Sequence, residues 1–239
     1  MIRLGVNIDH VATVRNARGS SHPDPLSIAK HVMECGAHSI TIHLREDRRH
    51  IRDLDVVKIC KNKKIITNLE ISLNNDVLRI ALKNKPNFIC IVPENRKEVT
   101  TEGGLNLSKN LNRIRKIIKQ FKIKKIRTSL FIDPNLNDIK IAKELNVDCI
   151  ELHTGKISDL IKSQKNYTQE YKKIKKCCQV AKNIGLEVHA GHGLDYKSTT
   201  ILSKLKDIEE FNIGHFIIGE SIIHGLKNTI KRFKKISNT

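Results

Sequence analysis

Short apolar runs rich in Ile and Val alternate along the chain with longer stretches whose apolar residues recur at helical spacing. The runs cover residues 4–8, 39–44, 65–71, 88–92, 127–132, 149–153, 186–190 and 211–218, and they read as strands. Between them the spacing predicts helices over 25–34, 54–60, 75–82, 108–121, 138–145, 169–183, 197–205 and 221–236. Asp24 is placed as an N-cap before Pro25 at the first helical position. The helix over 169–183 stops before Gly185. Eight strand–helix units predict an all-parallel sheet, and eight is the number that closes a barrel. The expected fold is therefore α/β, a (β/α)8 TIM barrel, with residues 1–239 forming a single domain. A doubly wound open sheet is the alternative, but no GxGxxG turn follows the first strand.

Composition narrows the function classes. No apolar run approaches the ~20 residues of a membrane span. Collagen, coiled-coil and disulfide-scaffold compositions are absent. Lys and Arg total 44 against 25 Asp and Glu, a formal charge of +19 that invites a nucleic-acid reading. The excess is mostly Lys, 31 against 13 Arg, and it accompanies abundant Ile and Asn, the pattern of an A/T-rich codon bias. The clusters Lys172, Lys173, Lys175, Lys176 and Lys122, Lys124, Lys125 lack interleaved aromatics for base stacking. They read as solvated helix faces, in a field that still attracts small anions. The six Cys form no CxxC pair, and Cys90 and Cys149 lie inside apolar runs as small hydrophobes. With no signal peptide, free thiols in a reducing cytoplasm are expected.

Polar and titratable groups gather at one end of nearly every predicted strand. They are Asn7, Asp9 and His10, then His43 and Arg45, then Glu70, then the polar loop 93–104 with Thr100 and Thr101. Further along come Asp133, then Glu151 and His153, then His189, His192 and Gly193, and finally Gly214 and His215. In a parallel barrel these ends open on one face, where active sites form, so the distribution points to an enzyme. Gly191, Gly193, Gly214 and Gly219 offer backbone N–H groups to a phosphate, or simply make turns. In the loop after strand two, Arg45 suits a phosphate dianion, while Arg48 and Arg49 read as a surface loop paired with Glu46, Asp47 and Asp53. Several histidines could converge on zinc, but neither HxH after strand one nor HExxH specifies a metal triad. His31 and His38 read as structural.

The strings GVNIDHVATVRNARG (5–19), HLREDRRHI (43–51), VPENRKEVTTEGGL (92–105), SLFIDP (129–134), ELHTG (151–155), AGHGL (190–194) and NIGH (212–215) resemble the pyridoxine 5′-phosphate synthase family. The resemblance runs in order from Gly5 to the final helix. It implies a (β/α)8 barrel with additional short helices, assembled as a homo-octamer. It implies condensation of 1-deoxy-D-xylulose 5-phosphate with 3-amino-2-oxopropyl phosphate to pyridoxine 5′-phosphate, phosphate and water, in vitamin B6 biosynthesis. No cofactor, no metal, no specific nucleic acid and no membrane belong to that picture. By matching motif, His43 and Glu70 take acid–base roles, His192 that of proton donor, and Glu151 that of transition-state stabiliser. Asp9, His10, Arg45, His50 and Thr100 match groups for the deoxyxylulose phosphate. Asn7, Arg18, Gly193, Gly214 and His215 match groups for the aminoketone phosphate, with Arg18 acting across a subunit boundary. His189 departs from a position that is often Asn in the family, and 216–223 varies there. Loop 93–104, ended by Gly103 and Gly104, is the expected lid. Two other readings remain at this point, a basic nucleic-acid-binding module and another phosphosugar barrel enzyme. An aldolase would want a strand-borne Schiff-base lysine, and Lys156 sits in a loop.

Overall fold

The computed structural model describes residues 1–94 and 103–237. In chain order the elements are β1 (Arg3–Asn7), α1 (Asp9–Arg18), α2 (Pro25–Glu34), β2 (Ser39–Leu44), α3 (Asp53–Lys61), β3 (Thr67–Ile71), α4 (Asn75–Asn84) and β4 (Phe88–Ile91). There follow α5 (Leu107–Ile123), β5 (Arg127–Ile132), α6 (Leu136–Glu144), β6 (Cys149–His153), α7 (Gly155–Lys162), α8 (Thr168–Asn183) and β7 (Glu187–Gly191). The chain ends with α9 (Tyr196–Leu202), β8 (Glu210–Ile213), α10 (His215–His224) and α11 (Leu226–Ser237). The eight strands pair in parallel and in order, with β1 closing on β8, so the fold is the expected (β/α)8 TIM barrel.

Alternation along each strand divides the wall into two environments. Leu4, Val6, Ile40, Ile42, Leu130 and Ile132 face the helices in one continuous apolar shell. Helices meet that shell with one stripe each, as α8 does with Ile174, Cys177, Cys178 and Ala181. The exposed Lys172, Lys173, Lys175 and Lys176 occupy its opposite side, the solvated face the sequence suggests. Inside the barrel the residues are mostly polar. Ser39 Oγ donates to Glu210 Oε1 (3.2 Å), Thr41 Oγ1 to Asn212 Oδ1 (3.2 Å), and Asn212 Nδ2 to Glu151 Oε2 (2.7 Å). Cys90, Val92 and Phe131 form a separate small apolar cluster.

Asp24 caps α2 as expected, accepting from the Ser27 N–H at 3.0 Å. The run 211–218 differs from its expectation. It is strand only to Ile213, and α10 begins at His215, because a short apolar run does not distinguish a strand from a buried helical turn. The expected helix over 221–236 is two helices parted at Gly225 (φ +76°). α1 and α7 were not expected. Together with α10 they are the additional helices, each starting within two residues of a strand's C-terminal end. All six cysteines are free thiols, four of them buried. Among the described residues no helix is long and apolar enough to cross a membrane.

Candidate active site

A cavity of about 560 Å³ opens at the C-terminal mouth of the barrel. Asn7, Asp9 and His10 reach it from β1 and the start of α1, and His43, Arg45 and His50 from β2 and its loop. Glu70 enters from β3, Glu151 from β6, His192 and Gly193 from the turn after β7, and Gly214 and His215 from the end of β8. Arg18 is not brought there. It lies exposed in the last turn of α1. Thr100, Thr101 and most of the expected lid, residues 95–102, lie outside the described residues.

His43 stands between two carboxyls, its Nδ1 3.6 Å from Glu70 Oε2 and its Nε2 3.8 Å from Glu94 Oε2. Strand register makes His43 and Glu70 direct neighbours across β2 and β3. Asp9 ties β1 to β2 at this level. Its Oδ1 accepts the His43 backbone N–H (2.8 Å) and its Oδ2 accepts from Asn7 Nδ2 (2.8 Å). Asp9, His43 and Glu70 bring one donor atom each within 4.8 Å of one another, near enough to chelate a divalent ion. Both Asp9 oxygens are already engaged as acceptors.

Burial governs the titration of this cluster. Glu70 is pushed well above the carboxylate range by burial, then by the neighbouring Glu151 and Asp9 charges. Burial takes Glu151 up to about 7 and Asp9 up to about 6. It takes His43 down to about 3, with Arg45 adding to the effect, and His50 down to about 4, with His10 adding. At neutral pH the mouth therefore favours uncharged imidazole at His43 and His50 and a carboxylic acid at Glu70. A phosphate dianion entering it would oppose the histidine shifts, because an anion stabilises imidazolium.

His192 sits on strained backbone, at φ +78° in the left-handed region that non-glycine residues avoid. Thr154, fully buried, holds that turn. Its hydroxyl lies 2.7 Å from the carbonyls of both Gly191 and His192, and its N–H donates to the Gly191 carbonyl at 2.9 Å. Gly191 must lack a side chain, since a Cβ there would stand 2.1 Å from Glu151 Oε1.

On the other side of the cavity, His10 packs against His215 and His50, with ring centroids 4.9 and 6.1 Å apart. Helix α1 fixes the loop that carries His50. Arg15 binds Asp55 through two contacts of 2.7 and 2.9 Å, and Asn16 Nδ2 donates to the His50 carbonyl at 2.7 Å. Thr13 Oγ1 lies 2.6 Å from His50 Nδ1. Arg48 and Arg49 pair with Asp53 and Asp47, as the surface-loop reading expects. His189 does not line the cavity. Its Nε2 lies 2.8 Å from Glu187 Oε1, in an ion network at the barrel floor.

Four groups escaped the sequence reading. Glu94 had the available signal, a titratable residue just past the end of β4, but it was absorbed into the polar loop. Asn212 lines the cavity and fixes Glu151, while Thr154 and the Arg15–Asp55 pair support other groups, and the role of all three depends on partners distant in sequence.

Fold and mouth together define a (β/α)8-barrel enzyme with its titratable groups at the C-terminal face. The family described as pyridoxal phosphate biosynthesis protein PdxJ matches residues 4–239. A pyridoxine 5′-phosphate synthase of Pelagibacter ubique is 75% identical over 238 residues, covering 100% of both chains. One from Zymomonas mobilis is 46% identical over 233 residues, covering 98% of this chain and 90% of its own. The chain belongs to the PdxJ family, an enzyme family of vitamin B6 biosynthesis. Among solved structures, a 4-hydroxy-2-oxoglutarate aldolase aligns at TM-score 0.64 and 10% identity, over 98% of this chain and 93% of its own. A phosphoribosylanthranilate isomerase from Thermotoga maritima aligns at 0.60 and 13%, over 100% and 99%. At such identities these two share the fold alone.

Proposed function

We propose that the chain is a pyridoxine 5′-phosphate synthase that joins 1-deoxy-D-xylulose 5-phosphate to 3-amino-2-oxopropyl phosphate, releasing phosphate and water. The observation that carries this reading is the convergence of His43, Glu70, Glu151 and His192 on one cavity of about 560 Å³. The cavity has two sets of anion-binding groups. Arg45 offers a cationic donor and His50 a ring N–H in one set, and Gly193, Gly214 and the start of α10 at His215 offer backbone N–H groups in the other. Two phosphorylated substrates need two such seats.

The chemistry is a series of proton transfers. The amine adds to the ketone and water leaves, giving a Schiff base. Loss of a carbon-bound proton gives an enamine, a sugar hydroxyl leaves as water, phosphate then departs, and water adds in its place. An enol carbon then closes on the second carbonyl, and a final loss of water makes the ring aromatic. Glu70, held protonated by burial and adjacent to His43, exchanges protons with substrate carbon and oxygen, with the imidazole as partner. Glu151, fixed by Asn212 and titrating at about 7, stabilises positive charge on nitrogen once ionised. His192 delivers the proton to departing oxygen. Arg18, exposed on α1, would serve the cavity of a neighbouring copy in a homo-octamer. Six free thiols suit a reducing cytoplasm.

The test is an assay of purified protein with both substrates and a metal chelator. Phosphate release and pyridoxine phosphate absorbance are expected to rise together. Absence of product with either substrate omitted is the control, and absence of product with both present would refute the reading. Activity that the chelator abolishes and added metal restores would instead make Asp9, His43 and Glu70 a metal centre.

A further inference from the structure

His192 lines two cavities. One is the barrel mouth; the other, about 470 Å³, lies outside it against α7 and is lined by His153, Lys156, Asp159, Ser163 and Lys165. The imidazole thus forms part of the partition between substrate and an outer, solvent-open cleft. His153 stands beside it, with ring centroids 5.0 Å apart. A Cβ at Gly155 would lie 2.7 Å from His153 Nε2 and 3.1 Å from His192 Cδ2, so both ring edges converge over the same backbone atom. The opposite nitrogen, His153 Nδ1, lies 3.1 Å from Asp133 Oδ1. The exposures form a gradient, with the Asp133 side chain 53% exposed and that of His153 10%.

We propose that His153, oriented by Asp133, is a positioning and proton-relay residue that connects solvent in the outer cleft to His192. The proposal rests on the reading of His192 as proton donor. Asp133 is held below the ordinary carboxylate range by its bond to His153, so it accepts and Nδ1–H donates. That leaves Nε2 free to exchange. A buffer acid or hydronium ion in the cleft protonates Nε2, and Asp133 stabilises the resulting imidazolium. The imidazolium passes that proton to the His192 ring and returns to neutral imidazole. His192 then gives it to the departing oxygen. One proton enters for each proton delivered, and no electrons are exchanged.

The relay answers a difficulty in the mouth. Burial, with the nearby His153 adding to it, takes His192 down to about 4, so at neutral pH it does not hold a proton in reserve. Other charges face this group. Asp159 raises His192 and Lys162 lowers it, both from α7, and Lys173 of α8 acts on Asp133.

The experiment measures steady-state turnover of His153→Ala, His153→Gln and Asp133→Asn at constant pH and ionic strength, in a bulky buffer with and without imidazole. In bulky buffer the His153 variants are expected to lose about 100-fold in kcat, with KM for both substrates little changed. Imidazole should restore about tenfold or more, saturably, while leaving the wild type unaffected. Asp133→Asn keeps an oxygen acceptor but loses the charge, and about a tenfold loss is expected. Wild-type kcat in these variants, or a loss in folded protein that imidazole does not relieve, would overturn the relay. A wild type that forms no product would instead overturn the synthase reading.

Discussion

The barrel encloses glutamates at both ends, and the two ends treat them oppositely. At the floor, Glu187 contacts Arg3, Arg127 (2.6 Å) and His189 (2.8 Å), while Arg3 also binds Glu210 at 2.8 Å. The His189 hydrogen bond and the two arginines hold Glu187 far below the usual carboxylate range. At the mouth, Glu151 is buried and Glu70 half-buried within reach of its charge, both with less cationic compensation, and both are pushed up. The residue type and the strand scaffold are the same. Pairing decides the difference: a fully partnered carboxylate fastens strands, and an under-partnered one keeps a proton available for chemistry.

The largest effect should come at the mouth. Glu70→Gln or His192→Ala is expected to lower turnover by about two to four orders of magnitude. For Glu70→Gln the melting temperature should hold or rise, because the glutamine, unlike a carboxyl kept neutral in the fold, has no proton to take up on folding at neutral pH. Wild-type turnover in both variants would remove the acid–base assignments. Next comes the support beneath His192. Thr154→Val keeps shape but drops the hydroxyl that holds the strained turn, and is expected to cost about 1–3 kcal/mol by denaturant titration. Turnover should fall by more than KM changes.

At the floor the expectation reverses. Glu187→Gln should destabilise the protein by about 1–3 kcal/mol, below the range for breaking a fully buried pair because both arginines keep solvent contact. Its kcat should stay near that of the wild type. The floor carboxylate's depressed pKa makes its stabilisation present above the ordinary value of 4.5 and lost as pH falls below it. The difference between Glu187→Gln and wild type should therefore shrink in acid. The smallest effect is a slope. The raised pKa of Glu151 makes its contribution greatest below 4.5 and lost as pH rises through about 7. Across that window Glu151→Gln should gain stability relative to wild type, as read by melting temperature against pH.

Much of this division was legible in sequence. Apolar runs gave each strand, and titratable residues at 7–10, 43–45, 70, 151 and 192 marked the mouth, because strand polarity fixes which end carries them. The helices that were not expected are informative. α1 starts with residues of the site, Asp9 and His10, and α7 with Gly155, over which His153 and His192 pack; neither start has a side-chain cap. Starts set by what packs there rather than by helix-capping preferences leave a weak local signal. The run 211–218 hid α10 because both of its halves are apolar. The floor network was illegible: Arg3, Arg127, Glu187 and Glu210 are far apart in sequence, and only barrel closure brings them together. His189 shows the same limit. Its place at a strand end near AGHG suggests the cavity, yet the structure turns it to the floor.

The most direct measurement is the titration of individual carboxyls by carbon NMR on Glu-labelled protein, with Glu70, Glu151 and Glu187 assigned through their Gln variants. The account predicts that Glu70 and Glu151 remain protonated to near neutral pH or above, while Glu187 stays ionised well into acid. Three titrations in the ordinary glutamate range, or the reverse order, would contradict it.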